Sequence, residues 1–334
     1  MKIVVRAPNW IGDSILALPS LTSLKEHDPQ AQIWVAAHGW VKDLFSLISW
    51  IEGVIPLPDV DSYKKMRASA RTLQEQEFDV GLLLTNSFAS ALLFTVAKIP
   101  QRWGYKKDGR GLLLTRGVAA MDRGAPFHQV QYYLNLIAGL GITPSPPQLS
   151  IPLTQEHKNR AKSTLLSLHV DPEAPLIILN PGAFYGSAKR WLASRYAELA
   201  SLLQERKGAT VLIIGSAEEV VLAESIAASA AKKPVILSGK TSLPELAGIT
   251  HEADLFITND SGPMHIANAL NTPVVALFGP TDPRHTGPFH APSCVIQKQV
   301  PCWPCWYREC PFDHRCMMKI STEEVYQACQ KFLE

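Results

Sequence analysis

Asp254-Leu-Phe-Ile-Thr-Asn-Asp-Ser-Gly-Pro-Met-His-Ile-Ala-Asn-Ala-Leu270, running on into Asn271-Thr-Pro-Val-Val-Ala-Leu-Phe-Gly-Pro-Thr-Asp282, alternates apolar runs with polar turns. Leu255 to Thr258 has the continuous apolar character of a parallel strand covered on both faces. Asp260 and Ser261 are residue types that cap helices, Gly262 lets a backbone come close to a ligand, and Pro263 suits a first helical turn. The stretch predicts strand, polar turn, short helix, second strand and second polar turn. His265 projects from the first turn of that helix. Backbone N–H groups at a helix start, among small residues, form an anion site. The plainer reading is an ordinary capped helix in an α/β protein.

The same alternation extends upstream. Leu176–Leu179, Thr210–Ile214 and Pro234–Leu237 read as strands, and Gln155–His169, Ser194–Lys207 (capped by Ser194), Glu218–Ala231 and Leu243–Thr250 as helices. Gly141-Ile-Thr-Pro-Ser-Pro-Pro147 is proline-rich, lacks periodicity and reads as a connector. Before it, Lys2–Arg6, Gln32–Ala37, Val54–Leu57, Asp79–Leu84 and Arg102–Tyr105 are strands. Ser14–His27, Tyr63–Gln76, Phe88–Lys98 and Phe127–Leu140 are helices, the first bent or delayed by Pro19. The order predicts an α/β protein of two doubly wound parallel sheets, in residues 1–150 and 151–320, facing across a cleft. Residues 321–334 carry a capped amphipathic helix, Ser321 to Leu333. There is no close internal repeat, only a repeated architecture.

Composition narrows the function. A net charge of +2 on 334 residues is too small to argue for nucleic acid. Met1-Lys-Ile-Val-Val5 reads directly as a strand rather than a secretory leader. The most apolar long window, Val80 to Ile99, is interrupted by Asn86, Ser87 and Ser90, which fits a buried strand and helix better than a membrane span. A cytoplasmic protein is expected, with any membrane contact peripheral.

Ligands of open α/β sheets sit at the carboxyl ends of the strands. Four turns of this kind are polar or glycine-containing: Asn9–Asp13, Asn180–Trp191, Gly215–Glu219 and Asn259–Gly262. The dinucleotide fingerprint G-x-G-x-x-G is missing after the first strand, which disfavours a dehydrogenase, and the phosphate loop G-x-x-x-x-G-K-[ST] is also absent. Lys189 and Arg190, with the helix start at Asn259 to Met264, offer cations and N–H groups to a diphosphate. Their plainer reading is a solvated loop. Glu218 or Glu219, just past a strand end, suits a ribose diol or, alternatively, a helix-start acid. Asp13 stands where a helix dipole keeps a carboxylate ionised and able to accept a proton, or it is a simple cap. Asp59-Val60-Asp61 lies among prolines without a third ligand and reads as a surface turn.

Taken together, Asn9-Trp-Ile-Gly-Asp13, Asn180-Pro-Gly182 with Lys189-Arg-Trp191, and Thr258-Asn-Asp-Ser-Gly-Pro-Met-His265 with Leu277-Phe-Gly-Pro-Thr-Asp282 resemble the lipopolysaccharide heptosyltransferases of glycosyltransferase family 9. The match runs in register through nearly the whole chain. The Trp-Ile-Gly-Asp form and the cysteine-rich tail are more similar to the heptosyltransferase II branch than to branch I. The resemblance implies the GT-B architecture of two Rossmann-like domains. It implies inverting, metal-independent transfer of L-glycero-D-manno-heptose from ADP-heptose to the first heptose of the inner core on Kdo2-lipid A. No cofactor is implied beyond that donor substrate. Asp13 matches the family's base, Lys189 its diphosphate lysine, and one of Glu218 and Glu219, with Glu219 favoured, its ribose ligand. Asp260, Ser261, Gly262 and His265 match the sugar and phosphate site. Where relatives carry threonines this chain has Ala183 and Phe184, so Ser187 is the candidate hydroxyl contact to phosphate. In this architecture the closing helix commonly crosses back to the first domain. The partners implied are the donor, the lipopolysaccharide acceptor and the inner face of the inner membrane, with the enzyme a monomer.

Two basic runs, Lys64-Lys65-Met-Arg67 with Arg71, and Arg102, Lys106, Lys107 and Arg110, suit an acidic acceptor or are solvated faces. Cys302-Trp-Pro-Cys305, Cys310 and Cys316, with His314 between the last two, have some of the pattern of a zinc site, although the later spacing is short for a ribbon. Reduced thiols under an aromatic cap are the favoured reading, and disulfides are disfavoured in the cytosol. Competing classes are a nucleotide-sugar epimerase of the same architecture and a zinc-dependent interaction protein without activity.

Overall fold

Ile3, Val4 and Val5 are fully buried, as a strand covered on both faces requires, and form the centre of β1 (Lys2–Arg6). A computed structural model describes residues 1–58, 60–121, 127–290 and 292–333, and divides the chain into two units, Met1–Pro152 and Leu153 onward. Asp59 of the D-x-D lies outside the described residues.

In the first unit, β1 is followed by α1 (Ile11–Leu16), α2 (Leu18–His27), β2 (Gln32–Ala37), α3 (Gly39–Ser46), β3 (Ile51–Pro56) and α4 (Tyr63–Gln74). Then come β4 (Val80–Leu83), α5 (Phe88–Val96), β5 (Gln101–Lys106), a 3-10 turn at Arg110–Leu113, β6 (Arg116–Ala119) and α6 (Gln129–Gly139). All strands pair in parallel in the order β3-β2-β1-β4-β5-β6. Pro19 acts as expected of a residue without an N–H. The helix breaks at Ala17, and α2 restarts with proline in its first turn. α1 begins earlier than expected, so Asp13 is its third residue.

The second unit opens with α7 (Gln155–Ser167), β7 (Leu176–Asn180), α8 (Ala193–Lys207), β8 (Thr210–Ile213), α9 (Val220–Ser229), β9 (Val235–Ile236) and α10 (Leu243–His251). It continues with β10 (Leu255–Asn259), α11 (Gly262–Ala269), β11 (Val274–Phe278), α12 (Pro283–Thr286), β12 (Ser293–Gln297), α13 (Arg315–Met318) and α14 (Thr322–Gln330). Its parallel sheet runs β9-β8-β7-β10-β11-β12, which repeats the first unit's order strand for strand. β10 and β11 are buried at every position. Each fully buried Leu, Ile, Val or Phe contributes roughly 1.5–3 kcal/mol, so these central strands fix the register. α8 begins one residue before Ser194, with Leu192 at the cap position and no side-chain cap, which corrects the expected Ser194 cap. Ser321 does cap α14 by accepting from the Glu324 N–H at 3.2 Å. α14 lies on α8 of its own unit through buried Val325, Tyr326 and Cys329, and the Thr322 hydroxyl donates to Glu198.

Candidate functional site

The order of each sheet turns back between two neighbours, β1 and β4 in the first and β7 and β10 in the second. The carboxyl ends at such a point are where open α/β sheets hold ligands. In the second unit these ends are Asn180 and Asn259. Asn259 is fully buried and uses its whole amide. Its Nδ2 donates to the Pro181 and Gly182 carbonyls at 2.7 and 3.2 Å, and its Oδ1 accepts from the Trp191 N–H at 3.0 Å and the Tyr196 hydroxyl at 3.1 Å. Asn180 Nδ2 donates to the hydroxyls of Thr258 and Ser261 at 2.8 and 2.7 Å. The loop from 180 to 191 is thereby stitched to the turn between β10 and α11. Asn259→Ala would strand several of these buried groups, each worth about 1–3 kcal/mol when left unsatisfied. The variant is expected to show a clearly lowered melting temperature. An unchanged one would mean the loop is held elsewhere.

Asp260 does not cap α11. Its carboxylate accepts from Lys189 Nζ at 2.5 Å and from the Thr281 hydroxyl at 2.6 Å, with the Lys189 and Asp260 side chains 12% and 5% exposed. Ser261 occupies the cap position, but its hydroxyl is engaged by Asn180 and makes no cap bond. Both expected caps are corrected in the same way. A partner distant in sequence takes the side chain, and the helix start stays open to a ligand. Gly262 is half-buried there, and His265 is buried in the first turn. Lys189 Nζ also lies 4.8 Å from the Tyr185 ring centroid. Ser187 is exposed at the start of a 3-10 turn, Ser187–Lys189.

The two glutamates separate. Glu218 is exposed, and the Ser216 hydroxyl lowers its carboxyl from the usual range. Glu219 turns inward. Its carboxylate accepts from the Ser216 N–H at 2.9 Å, and a Cβ placed at Gly182 or Gly215 would run into it. Position 182 must be glycine for this carboxylate to lie across the loop.

One feature escaped the reading from sequence. The segment between β12 and α13 ties two loops of this site together. The Tyr185 hydroxyl donates to the Trp306 carbonyl at 2.7 Å, the Ala188 N–H to the Arg308 carbonyl at 2.9 Å, and His314 Nε2 lies 2.8 Å from the Ala188 carbonyl. On the other side the Cys305 and Trp306 N–H groups donate to the Pro280 carbonyl, and the Trp303 indole to that of Thr281. Only the cysteines and aromatics of this segment had signalled its presence.

In the first unit, the loop from 7 to 13 is held by Arg6, whose guanidinium donates to the Ala7 carbonyl and to Asn9 Oδ1, and by the Trp40 indole on the Asn9 carbonyl at 2.8 Å. Asp13 sits half-buried in the first turn of α1. Tyr133 on α6 is held well above the usual tyrosine range by burial first and by the Asp13 charge second. Lys64, Lys65 and Arg67 are exposed on α4, with Lys65 paired to Asp61 at 2.7 Å. Lys106 is exposed at the carboxyl end of β5. Arg102 stands apart from them. It lies at the amino end of β5, half-exposed, where its guanidinium donates to the carbonyls of Ile99, Pro100 and Leu113. Arg110 is fully buried, donates to the Tyr105 and Thr85 carbonyls, and has its pKa lowered by burial to about 10.

Among the described residues, no helix is long and apolar enough to cross a membrane, and no three His, Cys, Asp or Glu side chains stand in the geometry of a metal site. The described cysteines are free thiols, and Cys316 is raised by burial first, with Cys310, Cys305 and Cys302 adding to it.

The family described as glycosyltransferase family 9 (heptosyltransferase) matches residues 66–315. Lipopolysaccharide heptosyltransferase 2 of Escherichia coli K12 is 33% identical over 311 residues, covering 89% of this chain and 88% of that protein. Lipooligosaccharide heptosyltransferase 2 of a Campylobacter jejuni O:2 strain is 28% identical, covering 100% and 99%. The solved structure of E. coli ADP-heptose LPS heptosyltransferase II superposes with a TM-score of 0.87 at 29% identity, covering 100% of this chain and 98% of that one. The architecture is therefore of the GT-B type.

Proposed function

The chain belongs to glycosyltransferase family 9, the heptosyltransferases, and we propose that it moves L-glycero-D-manno-heptose from ADP-heptose to the first heptose of the lipopolysaccharide inner core. The observation that carries this reading is the convergence, at the switch point of the second sheet, of a cation, an inward carboxylate and an uncapped helix start. Lys189 and the start of α11 suit a diphosphate, Glu219 a ribose diol, and Asp260, with acceptor capacity left over, the sugar hydroxyls. Ser187 adds a hydroxyl to the phosphate wall.

Inversion needs an acceptor oxygen that attacks the anomeric carbon from the face opposite ADP. Asp13 takes the proton of that hydroxyl as the bond forms. The departing diphosphate gains charge, which Lys189 and the dipole of the α11 start stabilise as it develops. Lys64, Lys65, Arg67 and Lys106 draw the anionic acceptor to the first unit, whose working place is the cytoplasmic face of the inner membrane. The enzyme acts as a monomer.

The test is a product assay with ADP-heptose and defined acceptors. Elongation of heptosyl-Kdo2-lipid A but not of Kdo2-lipid A is expected. Elongation of Kdo2-lipid A alone would assign the first heptosyl transfer, and conversion of ADP-heptose without any acceptor would assign an epimerase. Because Lys189 and backbone dipoles neutralise the diphosphate, turnover is expected to survive brief EDTA treatment. Loss restored by Mg²⁺ or Mn²⁺ would assign that role to an ion instead.

A further inference from the structure

We propose that Cys302, Cys305, Cys310 and Cys316 form a tetrathiolate site for one soft divalent cation of the zinc class, which fastens the clasp between the Ala188 and Pro280 loops. All four cysteines line one small cavity of about 10 Å³, together with Ala188 and Pro280 themselves. That volume is on the scale of a single bound water or ion. None of the four is oxidised to a disulfide. The spacing, two, four and five residues between successive cysteines, brings all four ligands from one short stretch. His314 is not needed as a ligand, since its Nε2 is already committed to the Ala188 carbonyl.

The stretch has little regular structure of its own. From residue 298 to 314 it contains no helix or strand. Val300 and Trp303 anchor its start on the core of the second unit, whereas Trp306, Tyr307 and Phe312 further along are 43%, 49% and 62% exposed. A structural metal is one way to fasten such a segment where disulfides are disfavoured. Yet the segment makes well-formed hydrogen bonds to two separate loops. Gly186 shows how closely it lies, because a Cβ there would run into the Arg308 carbonyl. An ion at the centre of the four sulfurs would hold both ends of the segment at once.

The four thiols do not stand in ligand geometry. Ligation needs their Cβ–Sγ bonds to turn toward the cavity, a change between staggered rotamers. Four thiols release four protons to solvent as the ion binds, leaving a net charge of minus two on the site. Arg315 lines the same cavity and is paired there with Asp313 at 2.7 Å.

The claim that the clasp serves the donor rests on the function proposed above. The metal site is tested without donor or acceptor, so the two fail separately. Protein purified under reducing conditions is expected to hold about one equivalent of zinc or iron by mass spectrometry, which also tells the two apart. Cobalt exchanged into it is expected to give thiolate-to-cobalt charge-transfer absorption with tetrahedral d–d bands. Cys302→Ser with Cys305→Ser is expected to abolish both signals. Should that variant fail to fold, the wild-type measurements decide. Reduced wild-type protein with no transition metal, and no cobalt spectrum after incubation with Co²⁺, would overturn the proposal, as would full metal retention by a folded double variant.

Discussion

Lys189→Ala is expected to lose both stability and donor affinity, and the two losses have different sources. The ammonium is 2.5 Å from Asp260, whose side chain is only 5% exposed and also accepts from the Thr281 hydroxyl. Removing one member of a buried pair typically costs about 3–5 kcal/mol, because the other charge is left without its counterion. Donor binding loses a charge-assisted contact of about 1.5–3 kcal/mol, roughly 10- to 150-fold in dissociation constant. Pairing Lys189→Met with Asp260→Asn separates the terms. The double variant removes the stranded charge, so its melting temperature should recover toward wild type, while ADP affinity stays low. Calorimetric titration with ADP and thermal melting on the same preparations read both. Wild-type ADP affinity in a folded Lys189 variant would exclude this lysine from the diphosphate site.

That pairing also marks how far sequence carries. The stretch from Leu255 to Phe278 states its own strand–helix–strand order, because burial on both faces leaves a continuous apolar run that nothing distant can alter. Both sheets were legible for the same reason. The strands that escaped are β6 and β12, short edge strands in which at most one residue is buried. α3 escaped by brevity, although Val41, Leu44 and Phe45 keep a helical spacing. Polar residues were the harder case. Asp260 and Ser261 carry perfectly good capping chemistry, and local rules assign them to the nearest helix. Their partners Lys189 and Asn180 lie 71 and 81 residues away, and only the register of β7 beside β10 brings them near. Arg102 differs in the opposite direction. Its charge suggested solvent and an anion, whereas three backbone carbonyls at the foot of β5 claim it. Glu219 over Glu218 is the case where sequence favoured the residue that geometry turns inward, since a glycine at position 182 makes room for its carboxylate.

Asp13→Asn is expected to fold, to bind ADP as wild type does, and to lose turnover. Asparagine keeps the size and the polarity of the side chain in the first turn of α1 but cannot accept a proton as a carboxylate does. The loop that presents it is held by Arg6 and by the Trp40 indole, and asparagine leaves those bonds in place. A first-turn carboxylate interacts with the helix dipole by about 0.3–1 kcal/mol, which sets the scale of any melting shift. General-base catalysis contributes about 10²–10⁴-fold, a far larger effect in rate than that shift is in stability. The residues proposed for ADP all lie in the second unit, so donor affinity should not follow the loss. If Asp13 is only a helix-start acid, the pattern reverses, with a modestly lower melting temperature and full turnover per folded molecule. Single-turnover transfer, ADP titration and melting on one preparation separate these outcomes. Near-wild-type transfer by a folded Asp13→Asn protein would sink the assignment of the base and send the search to the remaining carboxylates and histidines of the first unit.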